Sequence, residues 1–476
     1  MVRWLHPLTA ETGESAEVLG AKAHGLVVLR RLDLPVPPGF VIGTAACRAF
    51  LRDGRLPDGL GDELVAALEA LEAATGRRLG GAERPLAVSV RSGGPVSMPG
   101  MMTTILNLGR TAAGPDDALR RLGLAVAAVF RSWDTPRATT YRELHGIPHD
   151  LGTAVTVQAM VFGDRDDHSG AGVAFSRDPN TGEQVPFGDV LFGRQGDDVV
   201  SGRWRTRPLH QLADRAPTVW AGLLDALDRV EGHYRDACHL EFTFEAGQLW
   251  LLQVRPGQFA GNAAVRIATD LAGEGVIGRR EALLRVSPQH LRHVRTPRIA
   301  AVAEADVLAR GLGACPGVAA GRVATTADHA ARMAADGPVI LVRPATSPFD
   351  LRGLAAAAGV VTARGGPASH AAVVARAMGK PAVVGIAGLT VDVAGASVRA
   401  GGRTVPEGTR VTIDGTGGEV VLGRPRITTT APGPHLHRLL AWADEVSGGT
   451  SDRPEAERLS AARAVLRRQD ERSRST

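Results

Sequence analysis

A histidine that carries a phosphoryl group needs a neutral ring and backbone donors for the incoming oxygens, and one stretch of this chain offers both. Residues 359–385 read GVVTARGGPASHAAVVARAMGKPAVVG. Gly359–Thr362 has the pattern of a buried strand, and Arg364, Gly365, Gly366 and Pro367 form a tight loop. A helix then opens at Ser369, carries His370 in its first turn, and stops at Gly379 with Pro381 beyond. The positive end of a helix disfavours the imidazolium, so His370 stays neutral and nucleophilic near neutral pH. Backbone N–H groups of the first turn and of the glycine loop can hold the phosphoryl group. The plain alternative, a solvated histidine on a surface helix, leaves the glycine pair, the serine and the uncharged run 371–375 without a purpose.

A second set of residues suits a polyphosphate. Lys22 sits near the start of a helix expected over 21–32, and prolines 35, 37 and 38 with Gly39 lead into a strand at 40–42. Residues 86–109 read LAVSVRSGGPVSMPGMMTTILNLG. The strand is expected over 86–90, with Arg91 at its end as a bidentate fork. The loop that follows, broken by Gly93, Gly94, Pro95, Pro99 and Gly100, can lay amides over phosphates. In 238–257, Glu241, Thr243 and Glu245 alternate with Leu240, Phe242 and Phe244, the period of a half-buried strand. A three-residue loop over 246–248 would pair Glu241 with Gln253 and bring Arg255 to the same face. That register gathers hard oxygen ligands for Mg²⁺ beside a phosphate fork.

The elements that must position these groups fit an ordinary globular chain. Its 476 residues suffice for two to four domains, and 44% hydrophobic with 22% charged residues is typical of them. Aromatics are few, so the cores are aliphatic. Lys22 and Lys380 are the only lysines; arginine supplies the rest of the basic charge, and a formal +5 without basic runs points to small anionic ligands rather than nucleic acid. Cys47, Cys238 and Cys315 show no metal spacing or disulfide framework. With no signal pattern and no apolar run of membrane length, a cytoplasmic protein without a membrane partner is expected.

The motif T-x-x-G-G-x-x-S-H-A-A-V-V-A-R, from Thr362 to Arg376, resembles the phosphohistidine signature of the pyruvate phosphate dikinase family. The run V-S-V-R-S-G-x-x-V-S-M-P-G-M-M resembles the dikinase rather than its cousin phosphoenolpyruvate synthase. Residues 152–162 and 170–182 resemble the family's ATP-grasp sheet, with 158–161 weighed equally as an adenine-side edge and as a plain core strand. The resemblance implies an α/β and α+β multidomain chain. An ATP-grasp nucleotide-binding domain is expected over 1–256, a helical hinge over 257–310, a swivelling β/α phosphohistidine domain over 311–424 and a C-terminal helical tail over 425–476. For that tail, a solvated helix is slightly favoured over a docked one.

By the same resemblance, ATP is a substrate held by Lys22, Arg91, Gly100, Glu241, Gln253 and Arg255, with Mg²⁺ on Glu241 and Gln253. His370 is the carrier, in a loop with Thr362, Gly365, Gly366 and Ser369. AMP leaves after a second transfer to phosphate or water. The family's pyruvate-binding barrel is expected to be absent, because only 31 residues follow Glu445 where roughly 250 are needed. The acceptor is then a separate pyruvate- or PEP-binding barrel protein, or a small molecule as in the rifampin phosphotransferases; a homodimer is left open. The other reading is a non-catalytic, nucleotide-binding regulatory relative. Four departures bear on it: Thr103 and His239 stand where the family carries aspartate, a helical insertion between Gly109 and Ala118 is missing, and Ala368 replaces the threonine by which plant-type dikinases are switched.

Overall fold

The computed structural model describes all residues except 1–2, 99, 112–113, 202–203, 205, 258, 260, 293–296, 301–305, 368, 430–432, 450–451 and 475–476. Pro99, Ala368 and parts of the expected hinge thus lie outside the described residues. The chain divides into two compact units, Met1–Gly170 with Leu240–Arg255, and Ala171–His239 with Pro256–Thr476. No helix among the described residues is long and apolar enough to cross a membrane.

In the first unit an antiparallel five-stranded sheet runs in the order Leu5–Pro7, Gly39–Ile42, Ala154–Ala159, Val88–Gly93, Thr104–Leu108. Ala154–Ala159 is therefore a central strand, and residues 160–161 lie beyond its end. The strand expected over 86–90 continues through Arg91 to Gly93. Helices Thr44–Asp53, Leu60–Thr75 and Pro115–Arg131 close an aliphatic core over the sheet, with Phe50 and Phe130 as its aromatic pair.

The second unit holds an eight-stranded mixed sheet. Four of its strands are parallel neighbours: Val318–Ala324, Val339–Arg343, Gly359–Thr362 and Ala382–Val384. Helices Ala327–Met333, Leu351–Ala356 and His370–Met378 make the crossovers between them. In such sheets ligands collect where neighbouring parallel strands end, and two adjacent ends here, at Arg343 and Thr362, feed the two loops that matter below. Three further strands, Gly170–Phe175, Phe187–Phe192 and Arg207–Pro208, lie side by side in that order.

The segment expected as a hinge forms helices Gly261–Gly273, Arg279–Arg285 and Pro288–Arg292, which share one core with Pro434–Ser447 and Glu455–Arg474. The slight preference for a solvated tail is overturned here. Leu459, Ala462 and Leu466 are fully or almost fully buried, and the Arg463 guanidinium donates to the carbonyls of Leu283, Leu284 and Val286 at the end of Arg279–Arg285. Three apolar positions on one helical face suffice, because arginine supplies the rest of the attachment through carbonyls that the helix end leaves unpaired. Leu459→Ala should cost about 2–5 kcal/mol in urea unfolding of the full chain. A change below about 0.5 kcal/mol, the scale of surface substitutions, would mean that the helix does not pack.

Candidate active site

His370 stands where the two loops meet. The strand Gly359–Thr362 is apolar and buried throughout, and the Thr362 hydroxyl donates to the Arg364 carbonyl, which turns the chain into the glycine loop. Gly365 takes a φ of 97°, and the Ser369 N–H closes the loop onto the Gly366 carbonyl at 3.0 Å. The helix then runs His370–Met378 and ends on Gly379 in the left-handed region, as the sequence predicts. From the other strand end, residues 344–350 bring Thr346 to the ring: its Oγ1 lies 3.1 Å from His370 Nδ1. A capping box holds that loop, with Ser347 N and Oγ both donating to the Asp350 carboxylate, while Arg343 Nε lies 3.2 Å from the same carboxylate.

The other face of the ring is open chemically. His370 Nε2 and Ser369 Oγ are both buried, and neither has a hydrogen-bond partner among the described residues. Buried polar atoms without a protein partner are rare, and these two lie on adjacent residues at a helix N-terminus. Burial holds the His370 pKa below the ordinary histidine range, against the opposing field of Asp350. Thr346 Oγ1 can bond Nδ1 in either tautomer; where Nδ1 carries the proton, the lone pair belongs to Nε2 and the neutral ring is a nucleophile.

Packing fixes the loop from behind. Arg376 is buried and donates to the carbonyls of Ala314 (2.9 Å) and Pro367 (2.6 Å). Gly366 lies against Asp189 and Thr206, and a Cβ there would collide with both side chains. Asp189 is itself buried and accepts from the Thr206 hydroxyl at 3.0 Å.

The first unit gathers the polyphosphate candidates. The helix Ala16–Arg31 is broken at Gly20 (φ 75°, ψ 153°), so a new helical N-terminus starts at Ala21, whose N–H bonds to the Gly94 carbonyl at 2.9 Å. Only glycine fits at position 20, because a Cβ would strike the Gly93 carbonyl. Lys22 follows in the first turn and lines a cavity of about 140 Å³ with Gly93, Gly94, Gly100, Gln253 and Arg255. That is below the ~300 Å³ at which small-molecule pockets begin, so it suits phosphate groups rather than a whole nucleotide. Arg91 is held by Gln158 Oε1 and by the Leu252 carbonyl. Gln158 in turn donates to the Pro37 carbonyl at 2.9 Å, so the proline turn sets the guanidinium. Burial first, then the charges of Arg91 and Arg255, pull the Lys22 pKa down to about 7, with Glu241 opposing them.

The hairpin differs from expectation. Its strands, Cys238–Glu245 and Gln248–Pro256, are joined by Ala246 (φ 50°) and Gly247 (φ 79°) alone, a two-residue turn with both central residues at positive φ. The three-residue loop is therefore wrong. Gly247 serves either turn, and only the three-residue loop would set Glu241 opposite Gln253. In an unbroken ladder a two-residue turn sets Glu241 opposite Leu252, not Gln253. The alternation of burial fails at Gln253 and Val254, which are both buried, and Arg255 beyond that break reaches Glu241 at 3.4 Å. With its oxygen turned toward Arg255, the Gln253 amide accepts from Nη2 at 2.7 Å. Arg255, not a shared face, is what links Glu241 to Gln253. Among the described residues no three acidic, histidine or cysteine side chains form a metal cluster. One half-exposed carboxylate fits a Mg²⁺ ion brought in on phosphate oxygens, not an ion caged by protein.

Reading the sequence missed Thr346, Asp350, Gln158 as the anchor of Arg91, and the seat of the glycine loop on Asp189. Only the first two left a local trace, the capping-box spacing of Ser347 and Asp350 after a buried strand. Of the departures, Thr103 donates its backbone N–H to the Ser132 hydroxyl oxygen at 3.1 Å, and His239 stacks on Phe175 with centroids 4.7 Å apart.

Comparison with known proteins finds two family models along the chain. Residues 52–211 match the family model "Pyruvate phosphate dikinase, AMP/ATP-binding domain", and 335–418 match "PEP-utilising enzyme, mobile domain". Pyruvate, phosphate dikinase 2 of Oryza sativa subsp. japonica is 37% identical over 512 residues, covering 90% of this chain and 58% of the rice protein. Pyruvate, phosphate dikinase of Rhizobium meliloti is 36% identical over 563 residues, covering 98% and 63%. The chain belongs to the pyruvate phosphate dikinase family. It spans about three fifths of the length of these dikinases, 58% and 63%. Both alignments are longer than the 476 residues here, so these dikinases carry segments that this chain lacks. The architecture is that of the family's nucleotide side: a mixed α/β multidomain chain with an ATP-grasp nucleotide-binding domain and a mobile domain.

Because burial favours the neutral ring, His370 should titrate below 6.5 when followed by NMR of the imidazole nitrogens. Acid then costs the native state stability below that pH, where the unfolded ring charges and the native one resists. Thr346→Val should weaken the preference for Nδ1–H about threefold to tenfold, the worth of one hydrogen bond. A titration at or above 6.5, or an unaltered tautomer in the variant, would contradict this reading of the site.

Proposed function

We propose that the chain is an ATP-dependent phosphotransferase of the pyruvate phosphate dikinase type, with His370 as the phosphoryl carrier. The observation that carries this reading is the buried Nε2 at a helix N-terminus, beside the equally buried Ser369 Oγ and with Nδ1 3.1 Å from Thr346 Oγ1. Family membership supports it. Lys22, Arg91 and Arg255 would bind the phosphates of ATP, with Gly100 among the backbone donors. Glu241 would hold Mg²⁺, which supplies charge neutralisation on the phosphoryl oxygens. Gln253 would join it only when its oxygen leaves Arg255.

Nε2 attacks phosphorus, a new N–P bond forms, and the bridging P–O bond breaks with its electron pair leaving on the departing phosphate oxygen. The ring needs no base, since Nε2 already holds its lone pair. The Nδ1 proton stays in place and offsets the charge of the phosphorylated ring, with the Asp350 carboxylate nearby favouring the cation. Ser369 Oγ and the first-turn N–H groups receive the phosphoryl oxygens. Attack at the β-phosphorus makes AMP the leaving group, and the diphosphorylated ring then gives up its terminal phosphoryl to phosphate or water, which leaves one phosphoryl group on Nε2. The phosphohistidine then passes its group to an acceptor, pyruvate on a barrel-type chain or another small molecule.

Incubation with β- or γ-labelled ATP tests the reading, since it should leave an acid-labile, base-stable label on the protein. In His370→Ala the label should vanish while ATP affinity stays within a few-fold; undiminished labelling would move the carrier elsewhere. ATP binding should also take up a proton between pH 7 and 8, because Lys22 is largely neutral above about 7 in the free protein and charged beside a polyphosphate. Affinity should then fall as pH rises through that window. Calorimetry in buffers of different ionisation enthalpy reads the uptake, which Lys22→Met should abolish.

A further inference from the structure

The second unit contains a cleft of about 1240 Å³ that neither the carrier histidine nor the nucleotide residues occupy. One wall is the segment 206–211, and the other is built from residues 310–312, 363–365 and 385–391 of the phosphohistidine fold. Three guanidinium-bearing residues line it, Arg207, Arg310 and Arg364, and no acidic residue does so among the described residues. Arg364 stands exposed at the mouth of the glycine loop. Arg207 is exposed on the opposite wall and reaches the Gln211 amide oxygen only at 3.4 Å. Arg310 has Glu419 behind it, outside the cleft, at 3.7 Å.

Like charges that line one cleft repel one another, and an anion held among them relieves that repulsion. Planar guanidinium forks match phosphate oxygens two at a time, which a diffuse counter-ion such as chloride cannot use. The volume exceeds the ~300–1,000 Å³ of ordinary ligand pockets, so the cleft admits a hydrated phosphate-bearing molecule. Its walls also touch the carrier site. Pro344 and Arg364 both line it, the Arg364 N–H bonds to the Pro344 carbonyl at 2.9 Å, and the loops they start end at Thr346 and His370.

We propose that this cleft is a binding site for a small phosphate-bearing anion, bridged by Arg207 on one wall and Arg310 and Arg364 on the other, and that its occupancy holds segment 206–211 onto the phosphohistidine fold. The site does not depend on phosphoryl transfer at His370. The anion can be free inorganic phosphate or pyrophosphate, or an organic phosphate monoester. Backbone hydrogen exchange on the full chain separates these, with added phosphate, pyrophosphate, glycerol 3-phosphate or potassium chloride at equal ionic strength. We expect exchange in 206–211, 363–365 and 385–391 to slow with at least one phosphate compound and not with chloride. The compound that acts at the lowest concentration names the source. Arg207→Gln combined with Arg310→Gln should raise the half-saturating concentration at least tenfold, whereas His370→Ala should leave it within twofold. Equal slowing with chloride, slowing confined to the Lys22 cavity, or no slowing with any anion would each overturn the site. Loss of labelling by ATP with the cleft response intact would instead count against the phosphotransferase reading alone.

Discussion

The structure depends on keeping one imidazole buried, neutral and half satisfied. A buried polar atom with no partner costs about 1–3 kcal/mol, so Nε2 stays bare only because the surroundings hold the ring in place. Thr346 hydrogen-bonds Nδ1, and its loop is held by the capping box of Ser347 and Asp350 at the end of a strand adjacent to the one that leads to His370. Lys380 braces the same loop from its far side. Its ammonium donates to the carbonyls of Ala355 and Ala357, where the short helix Leu351–Ala356 ends. One of the chain's two lysines is thus a structural clamp in the carrier fold, and the other faces a phosphate-sized cavity.

The nucleotide residues show the complementary condition. Lys22, Arg91 and Arg255 share a single carboxylate, Glu241, and the Lys22 pKa is depressed by burial first and then by repulsion from the two arginines. A polyphosphate relieves that repulsion, so part of its binding energy is stored in the free protein as unfavourable charge. The arrangement is preorganised by backbone rather than by side-chain pairing. The break at Gly20 lets a helix begin against the Gly93 carbonyl, and the Gln158 amide ties Arg91 to the proline turn.

Local chemistry was legible in the sequence, and partnership across the chain was not. The carrier helix, its glycine stop, the strand before it and the helix that begins after Gly20 all follow from nearest neighbours in sequence. Thr346 lies 24 residues from His370, and Gln158 lies 67 from Arg91, so no spacing rule connects them. The hairpin differs for another reason: pairing Glu241 with Gln253 requires a three-residue loop, whereas the chain turns in two residues with Ala246 and Gly247 both at positive φ, and Arg255 makes the link instead. The last helix was undervalued because its polar face is nearly all charged, which hides how little apolar surface a docked helix needs.

Arg376 shows why a motif cannot be read as a list of ligands. It belongs to the phosphohistidine signature and carries a cation, so phosphate binding is the obvious role. The structure buries it instead, and its pKa falls to about 10, through burial and against the fields of Cys315, Asp189 and Asp178. It therefore keeps its charge at neutral pH. Its Nη1 and Nη2 go to the carbonyls of Ala314 and Pro367, joining the strand Leu312–Cys315 to the glycine loop, and its plane lies 5.7 Å from the Phe175 ring. Two carbonyls set apart in this way suit a planar fork, and a lysine ammonium at the same depth would have to satisfy both from one point. Gly366, on the other side of Pro367, completes the seat by coming against Asp189 where no side chain fits. The signature thus encodes two separable things: Ser369 and His370 for the chemistry, Gly366 and Arg376 for the surface that holds them in place.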